Sequence, residues 1–235
     1  MNLVLLFEND FAGPDHVILG GRRREHALGI HRAEVGDTLR VGVLDGNVGT
    51  GKVIGVSEGT IEMEIVVDQP PPPPAPLCLL LALPRPKSLK KALAAAITMG
   101  VKHIVLLRTR RVEPGYWQSP VLSPESLRKL SILALEQARD TIMPHIDMRK
   151  RFKPFVEDEL PALAKGTRAL VAHPNAATMC PRGLSSPATL CIGPEGGFIP
   201  YELDLLAHTG FHPVSIGPRP LRVEQAVAAL IGRLF

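Results

Sequence analysis

The sequence predicts an α/β protein in which a small N-terminal β-barrel precedes a larger domain with a parallel sheet flanked by helices. Three observations lead to this prediction. Short β-type segments are closely spaced in the first seventy residues, prolines interrupt the chain at 70–76, and strands alternate with helices after them. We therefore expect a domain at 1–69, a linker at 70–76 and a second domain at 77–235.

The N-terminal segments are short, apolar and separated by turn residues. Asp-Gly-Asn at 45–47 and Glu-Gly at 58–59 favour tight reversals, so both positions are expected to be hairpin turns. Closely spaced strands in so short a stretch predict a small β-barrel. The strands are expected at 3–7, 16–19, 38–44, 51–56 and 60–67.

The proline run at 70–76 marks the clearest boundary in the chain. Consecutive prolines fit neither a helix nor a central strand, and they form a stiff polyproline helix. We interpret the run as a semi-rigid spacer. A ligand for an SH3-type domain is the weaker alternative, because the run lies between two folded segments.

Periodicity after the spacer alternates between strands and helices, which favours a parallel sheet with helices against it. Leu89, Leu93, Ala96 and Ile97 share one face of the first helix, and Gly100 is expected to end it. Strands are expected at 77–83, 101–107, 168–172, 189–192 and 213–216, and helices at 88–99, 124–141, 200–209 and 223–234.

Charge divides unevenly along the chain. Residues 1–70 hold 6 Lys/Arg against 11 Asp/Glu, whereas residues 71–235 hold 21 against 12. A basic C-terminal portion suits a polyanionic partner such as RNA, because cations beside phosphates release condensed counterions. A merely basic soluble surface explains the same numbers, so charge alone does not decide.

Several classes of protein are disfavoured. Cys78, Cys180 and Cys191 are odd in number and far apart, which argues against a disulfide framework and fits a reducing cytoplasm. The eight histidines form no metal-binding motif, so no metal is expected. No apolar run reaches membrane-spanning length, and the N-terminus has no basic region typical of a signal peptide.

Three loops follow predicted parallel strands, at 172–175, 193–198 and 217–224. Ligands bind beyond the carboxyl ends of such strands, and glycine lets backbone approach them closely. Neither glycine-rich loop matches a phosphate-binding motif. Glu195 would repel a phosphate but would tolerate a cationic sulfonium, which suggests S-adenosylmethionine as the ligand. Tight turns without any ligand are the alternative.

Two of these loops carry a longer pattern, IGPEGGF at 192–198 and IGPRPLRVEQA at 216–226. Together they resemble the signature of the RsmE family, 16S ribosomal RNA methyltransferases of the SPOUT class, whose motifs read IGPEGGF and LGxRILRxETA. Weaker similarity at 24–37, 87–101 and 136–144 extends the resemblance over nearly the whole chain. The sequence departs from the family pattern at Met99, Asp140, Pro220 and Gln225.

The resemblance implies a fold and a reaction. The C-terminal domain would hold a deep trefoil knot, and the N-terminal domain would be a PUA-like barrel that binds RNA. The protein would be a cytoplasmic homodimer with its active site where two knots meet. It would transfer a methyl group from S-adenosylmethionine to N3 of a uridine in 16S rRNA, either naked or within the small ribosomal subunit.

Site residues follow from the same resemblance. Arg222 and Arg219 are candidates to stabilise the uridine anion, because guanidinium donors suit an imide anion or a phosphate. Glu195 and Glu224 would either accept the proton or stabilise the loops, and we favour the second role. The cofactor would be held by Ala172, His173, Ile192, Gly193, Pro194, Glu195, Gly196, Gly197, Ile216, Gly217, Leu221, Arg222, Val223 and Ala226.

Two basic runs are candidate RNA contacts. Arg22, Arg23 and Arg24, with Arg32, are expected either to bind phosphates or to form the solvated start of a short helix. The run at 149–153 is either an RNA-contacting surface or a solvated linker, and we favour the linker.

Two other functions stay open. The departures from the family motifs are compatible with a knotted methyltransferase that acts on another RNA nucleotide. They are also compatible with a noncatalytic protein of RNA binding or ribosome assembly.

Overall fold

The structure, a computed structural model, describes residues 2–29 and 32–235. The chain divides into two compact units. The first comprises Met1–Pro73 together with Ile132–Met143, and the second comprises Pro74–Ser131 together with Pro144–Phe235. Each unit has its own sheet.

The first unit is built on a five-stranded sheet in the order β1-β3-β4-β5-β2. The β1–β3 pair is parallel and the other pairs are antiparallel. Turns at 44–47 and 57–60 join β3 to β4 and β4 to β5, which confirms both predicted hairpins. The elements are β1 (Val4–Leu6), β2 (His16–Leu19), helix α1 (Gly21–Gly29), β3 (Thr38–Val43), β4 (Val48–Val56) and β5 (Ile61–Gln69).

Alternating side chains of these strands form the core of the first unit. Val17, Val41, Val53, Ile61 and Met63 are fully buried, since a strand that packs one face on a core buries every second residue. Strand β4 begins three residues earlier than predicted, at Val48, because the glycines at 49 and 51 hide its β pattern.

Residues 132–143 pack with the first unit, although the sequence analysis placed them in the second domain. Backbone hydrogen bonds hold them there: Asn2 N donates to Glu136 O at 3.0 Å, and Asp45 N donates to Thr141 O at 2.9 Å. The buried Glu136 carboxylate also accepts a hydrogen bond from each terminal nitrogen of Arg22, both at 2.8 Å.

The second unit contains a six-stranded sheet in the order β11-β9-β10-β6-β7-β8. Every neighbouring pair is parallel, as the alternation of strands and helices predicted. The strands are β6 (Leu77–Ala82), β7 (His103–Leu107), β8 (His145–Arg149), β9 (Arg168–Ala172), β10 (Ala188–Ile192) and β11 (His212–Val214).

Helices accompany this sheet. The predicted apolar face of α2, formed by Leu89, Leu93, Ala96 and Ile97, is buried, and Gly100 ends the helix with a φ of +84°. Helix α3 crosses from the second unit into the first. The helices are α2 (Pro86–Thr98), α3 (Pro124–Ala138), α4 (Phe152–Pro154), α5 (Leu160–Leu163), α6 (Pro200–His208) and α7 (Val223–Leu234).

The linker interpretation of the basic run at 149–153 is wrong. Arg149 is the last residue of β8, and Phe152 is a buried residue that begins α4. A π-helical turn, Phe155–Glu159, joins α4 to α5 and buries Phe155 and Val156. The sequence did not reveal β8, because its HIDMR segment is only half-buried and lacks an apolar run.

Gly49→Ala is expected to destabilise the first unit. A Cβ at position 49 would lie 1.8 Å from the backbone oxygen of Val66, so the β4–β5 pairing would have to open locally. Overpacking of this kind costs about 1–3 kcal/mol, and a backbone contact belongs at the upper end. Urea titration measures the loss. Gly59→Ala is the control, because nothing lies within 4 Å of its added Cβ; equal midpoints for the two variants would contradict the expectation.

Candidate functional site

A cavity of about 570 Å³ opens at the carboxyl ends of β9, β10 and β11 within the second unit. All fourteen residues predicted to hold a cofactor lie on its wall, as does Arg219. Glu224, the remaining predicted site residue of this unit, does not. The wall comprises Arg111, Ala172, His173, Pro174, Ile192, Gly193, Pro194, Glu195, Gly196, Gly197, Phe198, Val214, Ser215, Ile216, Gly217, Arg219, Pro220, Leu221, Arg222, Val223, Ala226 and Leu230.

The loop at 193–198 depends on its three glycines. A Cβ on Gly193 would lie 3.2 Å from the buried Phe198 ring, and one on Gly196 would lie 3.2 Å from Arg111 Cδ. Gly197 has a φ of +70°, a conformation that favours glycine. The loop therefore folds back on Phe198 and leaves its backbone on the cavity wall.

Glu195, a residue of this loop, connects the loop to the start of α2. Its Oε1 accepts a hydrogen bond from Arg85 N at 3.0 Å, directly before α2 begins. A carboxylate at a helix N-terminus satisfies a free backbone N–H and interacts favourably with the helix dipole. This contact is compatible with the predicted role of Glu195 in stabilising the loop, which stays a prediction.

Arg111 reaches the loop from the segment that follows β7. Its guanidinium donates to the backbone oxygen of Gly196 at 2.5 Å and to that of Phe198 at 3.5 Å. Arg111 was not among the residues predicted from the sequence. The only sequence signal was its place among Arg108, Arg110 and Arg111, a basic cluster at the carboxyl end of a predicted strand.

Glu202 is a second residue that the sequence analysis missed. Its side chain is buried at the start of α6, and it accepts hydrogen bonds from Arg110 N at 2.6 Å and Ile199 N at 3.0 Å. Glu202 thereby joins the segment after β7 to the end of the glycine-rich loop. Both segments are held against one buried carboxylate.

The second loop, at 215–222, buries Ser215 and exposes the residues that follow Gly217. Gly217 has a φ of +150°, and Arg219, Leu221 and Arg222 are exposed. Neither arginine side chain forms an ion pair with another described residue, so both guanidiniums keep their donors free for a ligand. Leu221 is an apolar side chain left 41% exposed beside them.

Glu224 lies one residue inside α7 and away from the cavity wall. Its own backbone N–H lowers the pKa of its carboxyl group, and the Ser88 hydroxyl and the Lys91 charge of α2 act in the same direction against desolvation. An ionised carboxylate at this position links α7 to α2. The structure thus places Glu224 among contacts between helices.

His173 and two of the cysteines are further candidate polar groups of this unit. His173 lies on the wall, where its Nδ1 accepts a hydrogen bond from Asn175 N at 3.3 Å. Burial raises the pKa of the Cys78 thiol to about 12 and raises the pKa of Cys191 further, so both stay protonated. Across the described ranges, no group of side chains has a metal-binding arrangement.

The arginines of α1 are engaged inside the first unit. Arg23 binds Asp10 with both terminal nitrogens and lies over the Phe7 ring at 4.6 Å, with its side chain only 15% exposed. Arg22 binds Glu136, and Arg24 donates to Ser57 O at 2.5 Å. RNA contact by these residues and by Arg32 stays a prediction, and for Arg23 it would require an internal ion pair to break.

No helix in the described part of the chain is long and apolar enough to cross a membrane.

Comparison with known proteins identifies relatives. The family model for the RNA methyltransferase domain matches residues 71–234. Ribosomal RNA small subunit methyltransferase E of Treponema pallidum is 25% identical over 236 residues, which cover 97% of this chain and 88% of that protein. The protein of the same name from Buchnera aphidicola is 49% identical over 45 residues, which cover 19% of this chain and 18% of that protein.

Solved structures share the fold over almost the full length. Ribosomal RNA small subunit methyltransferase E of Neisseria gonorrhoeae, bound to S-adenosyl methionine, has a TM-score of 0.74 at 21% identity and covers 98% of this chain and 95% of its own. A Legionella pneumophila protein described as a methyltransferase in complex with the same cofactor has a TM-score of 0.73 at 24% identity, with 98% and 96% coverage.

Glu224→Gln is expected to lower stability in a pH-dependent way. A carboxyl group whose folded pKa lies below its ordinary value of 4.5 stabilises the protein above that pH, and the contribution disappears as the pH falls through the folded pKa. The variant should therefore unfold at lower urea than the wild type at pH 7, and the gap should close below pH 4.5.

Glu58→Gln removes one negative charge at an exposed turn and is the control. A gap for Glu224→Gln that stays constant from pH 7 into acid would contradict a role for the ionised carboxylate.

Proposed function

We propose that this chain, which belongs to the RNA methyltransferase domain family, transfers a methyl group from S-adenosylmethionine to N3 of a uridine in the 16S rRNA of the small ribosomal subunit. The observation that carries the proposal is the cavity at the carboxyl ends of three parallel strands. Its wall holds the complete IGPEGGF loop and the exposed Arg219 and Arg222.

The cavity fits this cofactor in size, backbone and charge. A volume of about 570 Å³ lies within the range of roughly 300–1,000 Å³ typical of small-molecule sites. Gly193 and Gly196 present backbone where an added Cβ would lie only 3.2 Å from Phe198 or Arg111. The glycine-rich loop carries a single charged residue, Glu195, and its negative sign suits a cation. When bound, S-adenosylmethionine supplies an electrophilic methyl group on a sulfonium.

Arg222 and Arg219 supply positive charge where the nucleobase would enter. Uridine N3 carries a proton and becomes a nucleophile only when that proton leaves, so negative charge develops on the imide. A guanidinium stabilises such an anion with several fixed donors. Both side chains are exposed at the cavity and make no ion pair with another described residue.

We assign the two candidate carboxylates to positioning. Glu195 accepts from Arg85 N, and Glu224 is stabilised by its own backbone N–H and by Ser88. The hydrogen bonds to Glu224 favour its charged form and lower the pKa of its carboxyl group, which makes Glu224 a weaker base. Water would then receive the N3 proton.

We further propose that the second unit is knotted. The segment at 173–187 lies against both ends of the final stretch of chain: Ser215 N donates to Thr178 O at 2.9 Å, and Leu184 N donates to Leu234 O at 2.6 Å. A C-terminal segment enclosed by an earlier loop is the arrangement that a trefoil knot requires, an exception to the usual avoidance of knots.

The remaining proposals concern assembly and location. The mixed five-stranded sheet of the first unit supports a PUA-like barrel. The exposed Leu221 at the cavity supports a homodimer in which the partner covers this apolar side chain. Free thiols at Cys78, Cys180 and Cys191 suit the reducing cytoplasm, where ribosomes are assembled.

Mass spectrometry of 16S rRNA tests the proposed reaction. A strain that lacks the gene should lose one N3-methyluridine, and purified protein with S-adenosylmethionine should restore it on rRNA or small subunits from that strain. Loss of a different modified nucleotide would move the activity to another base. Unchanged rRNA in the deletion strain would favour a noncatalytic role.

Arg222→Ala is expected to lower kcat for this methylation by at least about 100-fold while the fold stays intact, because an electrostatic donor at the developing charge contributes about 2.7–4 kcal/mol. Single-turnover methylation measures the effect, with circular dichroism as the check on folding. Arg168→Ala removes an exposed arginine at the amino end of β9 and should leave the rate unchanged. Near-normal methylation by Arg222→Ala would remove Arg222 from the mechanism.

A further inference from the structure

The difference in net charge between the two units is larger than the difference between residues 1–70 and 71–235. The first unit holds 7 Lys/Arg against 13 Asp/Glu, a net charge of −6, whereas the second holds 20 against 10, a net charge of +10. The helix α1 arginines of the first unit also bind Asp10, Glu136 and Ser57. The electrostatic attraction for a polyanion therefore lies in the second unit.

Four of the twenty cationic residues of the second unit lie at the carboxyl ends of two neighbouring strands. Arg108 and Arg110 follow the last residue of β7, and Lys150 and Arg151 follow the last residue of β8. All four side chains are exposed. We call these four residues the β7–β8 basic surface.

The two halves of this surface are held together by the sheet. Arg108 N donates to the backbone oxygen of Arg149 at 3.0 Å, which continues the β7–β8 pairing past Leu107. The ammonium group of Lys150 lies 5.9 Å from the centre of the Trp117 ring, a cation–π distance. The backbone pairing therefore holds the two pairs of residues side by side, and the aromatic contact orients Lys150.

The described carboxylates near these four cations are bonded to other groups and do not form ion pairs with them. Glu159 pairs with Arg149 at 2.8 Å, and Glu202 is buried against Arg110 N rather than facing solvent. None of the four side chains forms an ion pair within residues 2–29 and 32–235. Exposed cations grouped in this way, without acidic partners, are the electrostatic footprint of a nucleic-acid backbone.

The surface is continuous with the cavity. Arg111 follows Arg110 directly, and its guanidinium donates to Gly196 O on the cavity wall. A strand of RNA that lay along Arg108 and Arg110 would therefore be led to the site that holds Arg222.

We propose that the β7–β8 basic surface binds the phosphodiester backbone of the substrate RNA and leads the strand to the cavity, an inference that rests on the proposed function. It assigns the main electrostatic contact with RNA to the methyltransferase unit. The first unit then contributes shape or base contacts and little charge attraction.

The double variant Arg108→Ala/Lys150→Ala tests this proposal, with filter binding to an unmodified 16S rRNA transcript at several KCl concentrations. Loss of two phosphate contacts should lower the slope of log K against log salt by about 1.4. If the two proteins bind equally at 1 M salt, the same slope change corresponds to about 25-fold weaker binding at 0.1 M salt, with the difference shrinking as salt rises. The control variant Lys165→Ala/Arg168→Ala removes two exposed cations from the opposite, amino end of β9.

Wild-type affinity and slope in the Arg108→Ala/Lys150→Ala variant would overturn the proposal, and so would an equal loss in the control. Calorimetry with S-adenosylmethionine is run on every variant, because neither mutated pair lines the cavity and cofactor binding should be unchanged. Failure of the wild type to bind the cofactor would contradict the proposed function, while the rRNA titrations would still decide the binding surface.

Discussion

Parallel pairing of β10 between β9 and β6 is the constraint on which the site depends. Ile192 pairs with Ala172 on one side and with Leu81 on the other, so the loops after these strands begin at one level of the sheet. Residues far apart in the chain thereby meet around a single cavity. Buried apolar strands fix this register, because a slip by one residue would turn their side chains toward the other face.

Hydrogen bonds between charged side chains and backbone atoms hold the loops in place. Arg111 donates to Gly196 O, Glu195 accepts from Arg85 N, and Glu202 accepts from Arg110 N and Ile199 N. Charge-assisted bonds of this kind are stronger than neutral ones. Glycine provides the close approach in the loop, and these bonds restrict the flexibility that glycine brings. A preorganised backbone can then bind a cofactor with little loss of conformational entropy.

Much of the second unit could be predicted from the sequence, because α2 has a clear helical period and β6 and β10 are apolar throughout. The position of the IGPEGGF loop after a strand predicted a ligand-binding loop, and the loop does line the cavity. The contact of Arg111 with this loop could not be predicted, since its partner Gly196 is 85 residues away and no local pattern connects them. The packing of residues 132–143 with the first unit also depends on long-range hydrogen bonds that leave no periodic trace.

The central claim is that the glycine-rich loop forms the binding surface for S-adenosylmethionine, and calorimetry on three proteins tests it most directly. The wild type should bind one equivalent at micromolar concentration. Gly193→Ala should bind at least tenfold more weakly, because its Cβ would press on the buried Phe198 ring, whereas Gly115→Ala, with nothing within 4 Å of its added Cβ, should match the wild type. No binding by the wild type, or equal affinity for all three, would contradict the account.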